Sequence, residues 1–560
     1  MAEEVEVSEL QKEQVTSVSQ LTAQNDNLGQ VTSVSQFSDV QPTDWAFQAL
    51  QSLVERYGCI AGYPNGTYRG NRAMTRYEFA AGLNACLDRV NELIATATTD
   101  LIRKEDLATL QRLQEEFSAE LATLRGRVDA LEARTAELEA NQFSTTTKLR
   151  GEVIFAVADV FNDERALPFN LDRDNLNGVN LSSSTAVANA LRAENPSLSA
   201  AQAAALVSAY GSGNFAEQTE DIEGNTVFAY RTRLNFDASF SGSDRLRVRL
   251  QARNIPSFNN GVTGTNMTRL GFDGNNDGSV EIDELWYQFN LSNALRVKIN
   301  ATNGEFNDDF FTFNPAFESS GSGALSRYGR FSPIYRQGDG GAGISLTFAP
   351  QSPFNVSVGY LSIDANNPDF GNGLFKGGYA AFAQVGIRPS EAFNVGLTYV
   401  RSYYNGESGV NLSGSTGSFL ANRPFGNFAT TANHYGAEVL FRPSPKFALS
   451  GWAGYTDAKA EAGPFEGDDA NIFYWAAALA LQDFGREGNT LGFIFGQPPR
   501  VTDSDTIEDE NTSYHIEALY KLRISDNVAI TPGVLVILNP EYNDENDTIY
   551  VGTIRTTFTF

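Results

Sequence analysis

The stretch "DGNNDGSVEIDE" places Asp273, Asn275, Asp277, Gly278 and Glu284 on the twelve-residue template in which oxygen ligands converge on calcium while glycine takes the sharp turn. Asn/Asp/Gly-rich connections are also routine between strands, and no helical pattern flanks this one. A structural calcium on Asp273, Asn275, Asp277 and Glu284 is therefore the one metal expectation, and no other cofactor is expected. A second pattern is electrostatic. Lys148, Arg150, Arg231, Arg233, Arg247, Arg249, Arg253, Arg296 and Lys298 recur on the polar face of alternating segments. The long connection from 303 to 340 carries Glu305, Asp308 and Asp309 among aromatics, in "GEFNDDFFTFNPAF". An acidic loop folded across a basic wall would narrow a water-filled passage and set a transverse field that sorts solutes by size and charge. The alternative is that these charges only solvate a polar interior.

Catalysis finds little support. The two histidines, His434 and His515, fall on the inward face of alternating segments, without a Ser or Cys nucleophile at a recognisable elbow. No glycine-rich phosphate loop opens a helix. With 68 acidic residues, paired carboxylates are bound to occur by abundance alone. Two cysteines and three methionines suit neither a thiol nor a metal enzyme, while 49 Gly, 39 Phe and 21 Tyr suit a sheet-rich protein with aromatic belts. A formal charge of −27 argues against nucleic acid as partner.

Four kinds of segment must position these residues. Residues 1–36 are polar and contain "QVTSVSQ" at 14–20 and again at 30–36, which reads as a flexible leader. The start lacks a basic region followed by an apolar one, so a mature chain whose secretory signal is not part of the sequence is expected. Residues 37–90 have two amphipathic helical patterns: Trp45, Ala49, Leu50, Leu53 and Val54 form a stripe closed by Gly58, and Thr75 with Glu78 has capping-box spacing. Within 91–142, Leu110, Phe117, Leu124, Leu131 and Leu138 recur every seven residues. Leu107, Gln114, Leu121, Val128 and Thr135 stand three before each, which is a coiled-coil seam.

From 147 to 560 the period becomes two. Leu149, Gly151, Val153, Phe155 and Val157 alternate with Lys148, Arg150 and Glu152, and fifteen further segments follow, joined by short turns and long polar loops in alternation. No apolar run reaches the length of a membrane helix. An even strand count, with short turns on one side and long loops on the other, predicts a mainly β fold: a 16-stranded antiparallel transmembrane barrel behind the helical region and stalk. Residues 147–560 allow about 26 residues per strand and connection, too few for a plugged 22-strand transporter. The terminal "YVGTIRTTFTF" is then the closing strand, with even-numbered residues toward lipid, Arg555 inward and Phe560 resembling an assembly signal.

The blocks "FSDV", "DWA", "GYPNGTYR" and "TRYEF" resemble an S-layer homology domain in order and spacing. That resemblance implies binding to peptidoglycan-linked cell-wall polysaccharide through Asp39, Trp45, Gly62, Arg76 and Glu78. The alternative makes Trp45, Tyr63 and Phe79 core residues and Glu78 a helix cap. The whole chain after residue 37 resembles cyanobacterial outer-membrane porins of the "iron uptake" type, with a barrel similar to the OprB-like group. This resemblance implies homotrimers, an outer-membrane location with a periplasmic N-terminal domain, and passive passage of inorganic ions, iron or sugars. A barrel that mainly staples the outer membrane to the cell wall is the competing expectation. An oxidising periplasm permits a Cys59–Cys86 bridge, two buried thiols being the alternative.

Overall fold

The computed structural model describes residues 31–63, 65–96, 104–141, 147–162, 164–211, 215, 222, 224–407 and 409–560. The chain divides into two compact units, residues 1–142 and 143–560. The first copy of "QVTSVSQ" lies outside the described residues.

In the first unit a short helix, α1 (Phe47–Gln51), runs into a wider turn at Ser52–Arg56. Leu50 and Val54 from this stretch pack with Val34 and Phe37 into a small core. Val34 belongs to the second "QVTSVSQ" copy, so residues 31–36 are part of this unit and the leader boundary at 36 is corrected. Glu55 holds them in place, accepting hydrogen bonds from the Ser33 hydroxyl at 2.6 Å and the Val34 amide at 3.0 Å. The second helix, α2 (Arg76–Thr96), buries none of its side chains. It is tied to the core covalently by a Cys59–Cys86 disulfide. Because the bridge spans 27 residues, replacing Cys59 by Ser is expected to cost about 3 kcal/mol through restored unfolded-chain entropy. The measurement is the thermal unfolding of this unit with and without reductant; no change would mean that α2 needs no tether.

Helix α3 (Lys104–Asn141) carries the heptads. At the seam positions with described side chains, Phe117, Leu124, Val128 and Leu131 are 47–62% exposed in the single chain. Apolar side chains left about half exposed along a heptad seam form a hydrophobic face that a partner helix would cover.

The second unit is a closed sheet. Its strands are β1 (Thr147–Phe161), β2 (Val227–Ala238), β3 (Arg245–Ile255), β4 (Glu281–Ser292), β5 (Leu295–Gly304), β6 (Gly341–Phe348), β7 (Phe354–Ser362) and β8 (Tyr379–Ser390). They continue as β9 (Phe393–Tyr404), β10 (Thr430–Ser444), β11 (Phe447–Ala460), β12 (Asp469–Gln482), β13 (Thr490–Ser504), β14 (Tyr514–Arg523), β15 (Val528–Leu538) and β16 (Ile549–Thr559). Each pairs antiparallel with the next, and a two-residue strand at Gly274–Asn275 pairs with the end of β3. The sheet closes between β1 and β16, from Glu152 opposite Thr559 to Phe161 opposite Tyr550. Gly151 and Phe560 exchange backbone hydrogen bonds at 2.7 and 3.0 Å at the end of this seam. The Phe560 ring occupies the space a Cβ on residue 151 would need, which explains glycine there. The sixteen-strand barrel is as expected, and closure leaves no unpaired edge facing lipid.

Alternation behaves as period two requires. On β16, Tyr550 and Ile554 are exposed while Val551, Thr553, Arg555 and Thr557 are buried. The connection after β1 departs from the expected polar loop. It contains α4 (Ser184–Glu194), capped by Ser183, and α5 (Ala200–Tyr210), opened by a Ser199–Gln202 capping box. Val187, Leu191, Leu206, Val207 and Tyr210 from these helices pack with Phe419, Leu420 and Phe425 and with inward residues at the long-loop ends of β10 to β13, such as Ala432, Ala458, Ile472 and Val501. An apolar cap thus covers that sector of the long-loop end.

Candidate functional site: a charged constriction and a cell-wall face

The connection between β5 and β6 enters the barrel. Its apolar residues fix which wall it leans on. Phe306, Phe310, Phe331, Ile334 and Tyr335 pack against Leu361, Ala380, Phe382 and Val400. Phe313, Phe317 and Leu325 share a core with Leu440, Ile494, Leu519 and Leu535. A loop inside a barrel must also satisfy its backbone, and inward polar side chains do this. Arg555 donates to the carbonyls of Ser320, Gly323 and Ala324 at 3.1, 2.6 and 3.0 Å. Thr557 donates to the Gly321 carbonyl at 2.6 Å. Glu517 accepts from the Leu325 and Ser326 amides at 2.6 and 3.2 Å. Asp309 pairs with Lys298 and accepts from Asn300 at 2.8 Å.

Ser320 of the loop also accepts from Arg231 and Arg233 on β2 at 2.9 and 3.2 Å, and a polar space remains between the loop and β1 to β3. It is a cavity of about 420 Å³, lined on the strand side by Glu152, Arg231, Arg233, Arg249 and Arg253 and on the loop side by Glu305, Asp308, Glu318, Arg327, Arg330 and Arg336. Of the charged residues expected to line a pore, Arg231, Arg233, Arg249, Arg253, Glu305 and Asp308 meet there, together with Asp273 from the calcium spacing. The other expected pore residues do not. Arg247 makes a bidentate pair with Asp237 at 2.7 and 2.9 Å and lies over Trp286. Lys298 and Asp309 neutralise each other, Arg150 is largely exposed at 4.0 Å from Asp237, and Arg296 is half-buried on β5.

Two corrections follow. The inserted loop is mixed in charge: beside the expected Glu305, Asp308 and Asp309 it carries Arg327, Arg330 and Arg336, in "SRYGRFSPIYRQ" of the same connection. The calcium set does not assemble either. Asp273 is held by Arg269 at 2.8 and 2.9 Å, Glu284 pairs with Arg249 and accepts from the Trp286 indole, and only Asn275 and Asp277 touch, at 3.1 Å. Among the described residues no group of three or more His, Cys, Asp or Glu is arranged to hold a metal. The template counts spacing, and here an arginine reaches each end of it first.

Both histidines have structural partners, and His515 meets the Ser326 hydroxyl of the inserted loop at 3.2 Å. His434 lies between the Ser402 and Thr456 hydroxyls at 2.9 and 2.8 Å.

On the N-terminal unit the five expected contact residues separate into two kinds. Asp39 accepts from the backbone amides of Tyr68 and Arg69 at 2.7 and 2.5 Å, which fastens the turn. Glu78 accepts from the Thr75 amide and hydroxyl at 2.8 and 2.9 Å, completing a capping box. Gly62 has φ +68° and sits against the Phe37 ring, so it is a backbone requirement. Trp45 is 75% exposed, with its ring 6.4 Å from that of Phe117, and Arg76 is exposed with no carboxylate partner among the described residues. Tyr63 and Phe79 are also exposed, which excludes the alternative that made them core.

The Tyr68 amide and then the Arg69 amide hold the Asp39 carboxyl below its ordinary 3.8, and the Thr75 amide holds Glu78 below 4.5. Depressed values stabilise the fold in full above pH 4.5 and 3.8 and lose that contribution as pH falls through the lower folded values. Acidification is expected to open residues 37–90 to protease in the full chain before the barrel. Asp39→Asn should be cleaved there already at neutral pH; equal resistance of variant and wild type would remove the role given to Asp39.

The sequence pattern of the carbohydrate-selective porin, OprB family, matches residues 104–560. The chain belongs to the OprB family. An S-layer homology domain matches residues 36–80. This OprB-family chain is 47% identical to an uncharacterised protein of Nostoc sp. over 557 residues, covering 95% of this chain and 86% of that one. It is 39% identical to an uncharacterised protein of Synechocystis sp., covering 97% and 93%. Among solved structures, Pseudomonas putida OprB overlays with a TM-score of 0.43 at 11% identity, covering 76% of this chain and 96% of that one. By these matches this chain is an outer-membrane β-barrel porin with an S-layer homology domain, not an enzyme.

Proposed function

We propose that this OprB-family porin is a passive diffusion channel for small hydrophilic and ionic solutes, inorganic ions and sugars among them. Its S-layer homology domain anchors it to peptidoglycan-linked cell-wall polysaccharide, with three chains assembled along the α3 seam. The observation that carries the channel reading is the polar cavity left between β1–β3 and the inserted loop, whose apolar residues pack toward β7–β9. Exposed Trp45 and Arg76, which has no carboxylate partner among the described residues, support the anchoring, an aromatic face for a sugar ring and a planar cation for an anionic substituent. The solvent-exposed heptad residues support self-association.

One observation favours a second reading, a tether with a largely closed barrel: the apolar cap of α4 and α5 at the long-loop end. Proteoliposomes carrying the purified full chain are expected to swell in isosmotic monosaccharide and to swell progressively less with larger sugars. Liposomes that stay unswollen in every sugar would favour the tether.

A further inference from the structure

We propose that the constriction contains a subsite for a small oxyanion, a phosphate or carboxylate group borne by a free ion or by a larger solute. The proposal rests on the channel reading and gives it a substrate class. Seven arginines and five carboxylates line the cavity. Glu152 is taken by Arg231 at 2.8 Å and Asp273 by Arg269, while Arg249 is taken by Asp283 and Glu284 and Arg327 lies 3.7 Å from Asp339, carboxylates outside the lining. This leaves Arg253, Arg330 and Arg336 without a carboxylate in ion-pair range among the described residues. The three loop arginines rest largely on neutral acceptors. Arg327 donates to the Gly414 carbonyl at 2.8 Å, Arg330 to the Glu318 carbonyl at 2.7 Å and Arg336 to the Arg327 carbonyl at 2.9 Å. Carbonyls satisfy N–H groups without cancelling charge, so Arg330 and Arg336 keep theirs at the cavity.

The second observation is independent of charge counting. Arg231, Arg253 and Arg336, all lining this cavity, each keep a buried Nε–H with no acceptor among the described residues. Buried donors are rarely left without a partner, and a water or an entering acceptor is the usual resolution. Arg330 and Arg336 lie over the Phe331 ring at 4.8 and 4.3 Å, which holds their planes in fixed orientation. Orphan donors on preoriented guanidinium groups, in a pocket with more cations than anions, suit an oxyanion that accepts several hydrogen bonds and brings charge. A neutral sugar supplies acceptors without the charge.

The test uses the full chain in planar bilayers, with inorganic phosphate titrated into constant chloride at fixed pH. Phosphate is expected to reduce the current saturably, and equal concentrations of glucose are not. In the Arg253→Gln/Arg336→Gln variant, the half-blocking concentration should rise about tenfold, since two charge-assisted donors are lost. Openings of that variant in chloride report a folded barrel. Block by glucose 6-phosphate as well would assign the site to esterified oxyanions, and block by phosphate alone to the free ion. A wild-type current that phosphate does not saturate, or the same half-blocking concentration in the variant, would overturn the proposal. Calorimetric titration of phosphate into detergent-solubilised protein separates the two levels. Binding heat from a protein that passes no current would refute the channel and keep the site, whereas current with neither heat nor block would keep the channel and refute the site.

Discussion

Replacing Arg555 by Met is expected to unseat the loop between β5 and β6 and to raise single-channel conductance severalfold, with noisier openings. The wild-type guanidinium is fully buried on β16 and ties down three carbonyls, those of Ser320, Gly323 and Ala324. Hydrogen bonds to a charged group are worth about 1.5–3 kcal/mol each, and the carbonyls they leave behind would be buried without donors. Phe313, Phe317 and Leu325 still favour the seated position through their packing, so the loop should sample open positions rather than leave the lumen. Arg555→Lys should give an intermediate conductance, because a point charge cannot span three acceptors as the planar fork does. Conductance and noise indistinguishable from wild type in Arg555→Met would mean that apolar packing alone seats the loop.

Deleting residues 37–88 is expected to abolish cosedimentation with peptidoglycan sacculi while leaving channel openings intact. The division of the chain into two compact units makes this separable, since no barrel strand begins before Thr147. Within the unit, Trp45→Ala together with Arg76→Ala should reproduce most of the loss. Asp39 and Glu78 spend their carboxylates on the turn and the helix start, so their replacement should weaken binding only by way of folding. Sacculus binding retained by the deletion would place the contact elsewhere.

The barrel was legible because its signal is repeated and local. Phe155 and Val157 face outward and Ile154 and Ala156 inward for the same reason that Tyr550 and Ile554 face outward and Arg555 inward, and the period persists through sixteen strands. The cationic rungs on β2 and β3 followed from that alternation: Arg231, Arg233, Arg249 and Arg253 stand where parity put them. What parity could not say is which cation would find a carboxylate across the register. Arg247 lies directly opposite Asp237, and Lys298 finds Asp309 on the inserted loop, so both are spent in pairs. The loop arginines and the helices after β1 were missed for another reason. Their role depends on contacts far along the chain, such as Phe419 against Tyr210, and a polar-looking connection gives no periodic cue to such packing. The calcium spacing likewise says nothing of Arg249 and Arg269, which pair with Glu284 and Asp273. On the N-terminal unit, the capping box at Thr75 and Glu78 was legible in the sequence as a helix start, and both hydrogen bonds that the Glu78 carboxylate accepts from Thr75 fall on its Oε2.

The central claim is that a continuous polar passage runs through the barrel beside β1 to β3, past the seated loop. Single-channel recording of the purified full chain in a planar bilayer tests it most directly. Discrete, reproducible current steps in simple salt, larger in Arg555→Met, are the predicted result. A bilayer that stays silent although folded protein has inserted would contradict it.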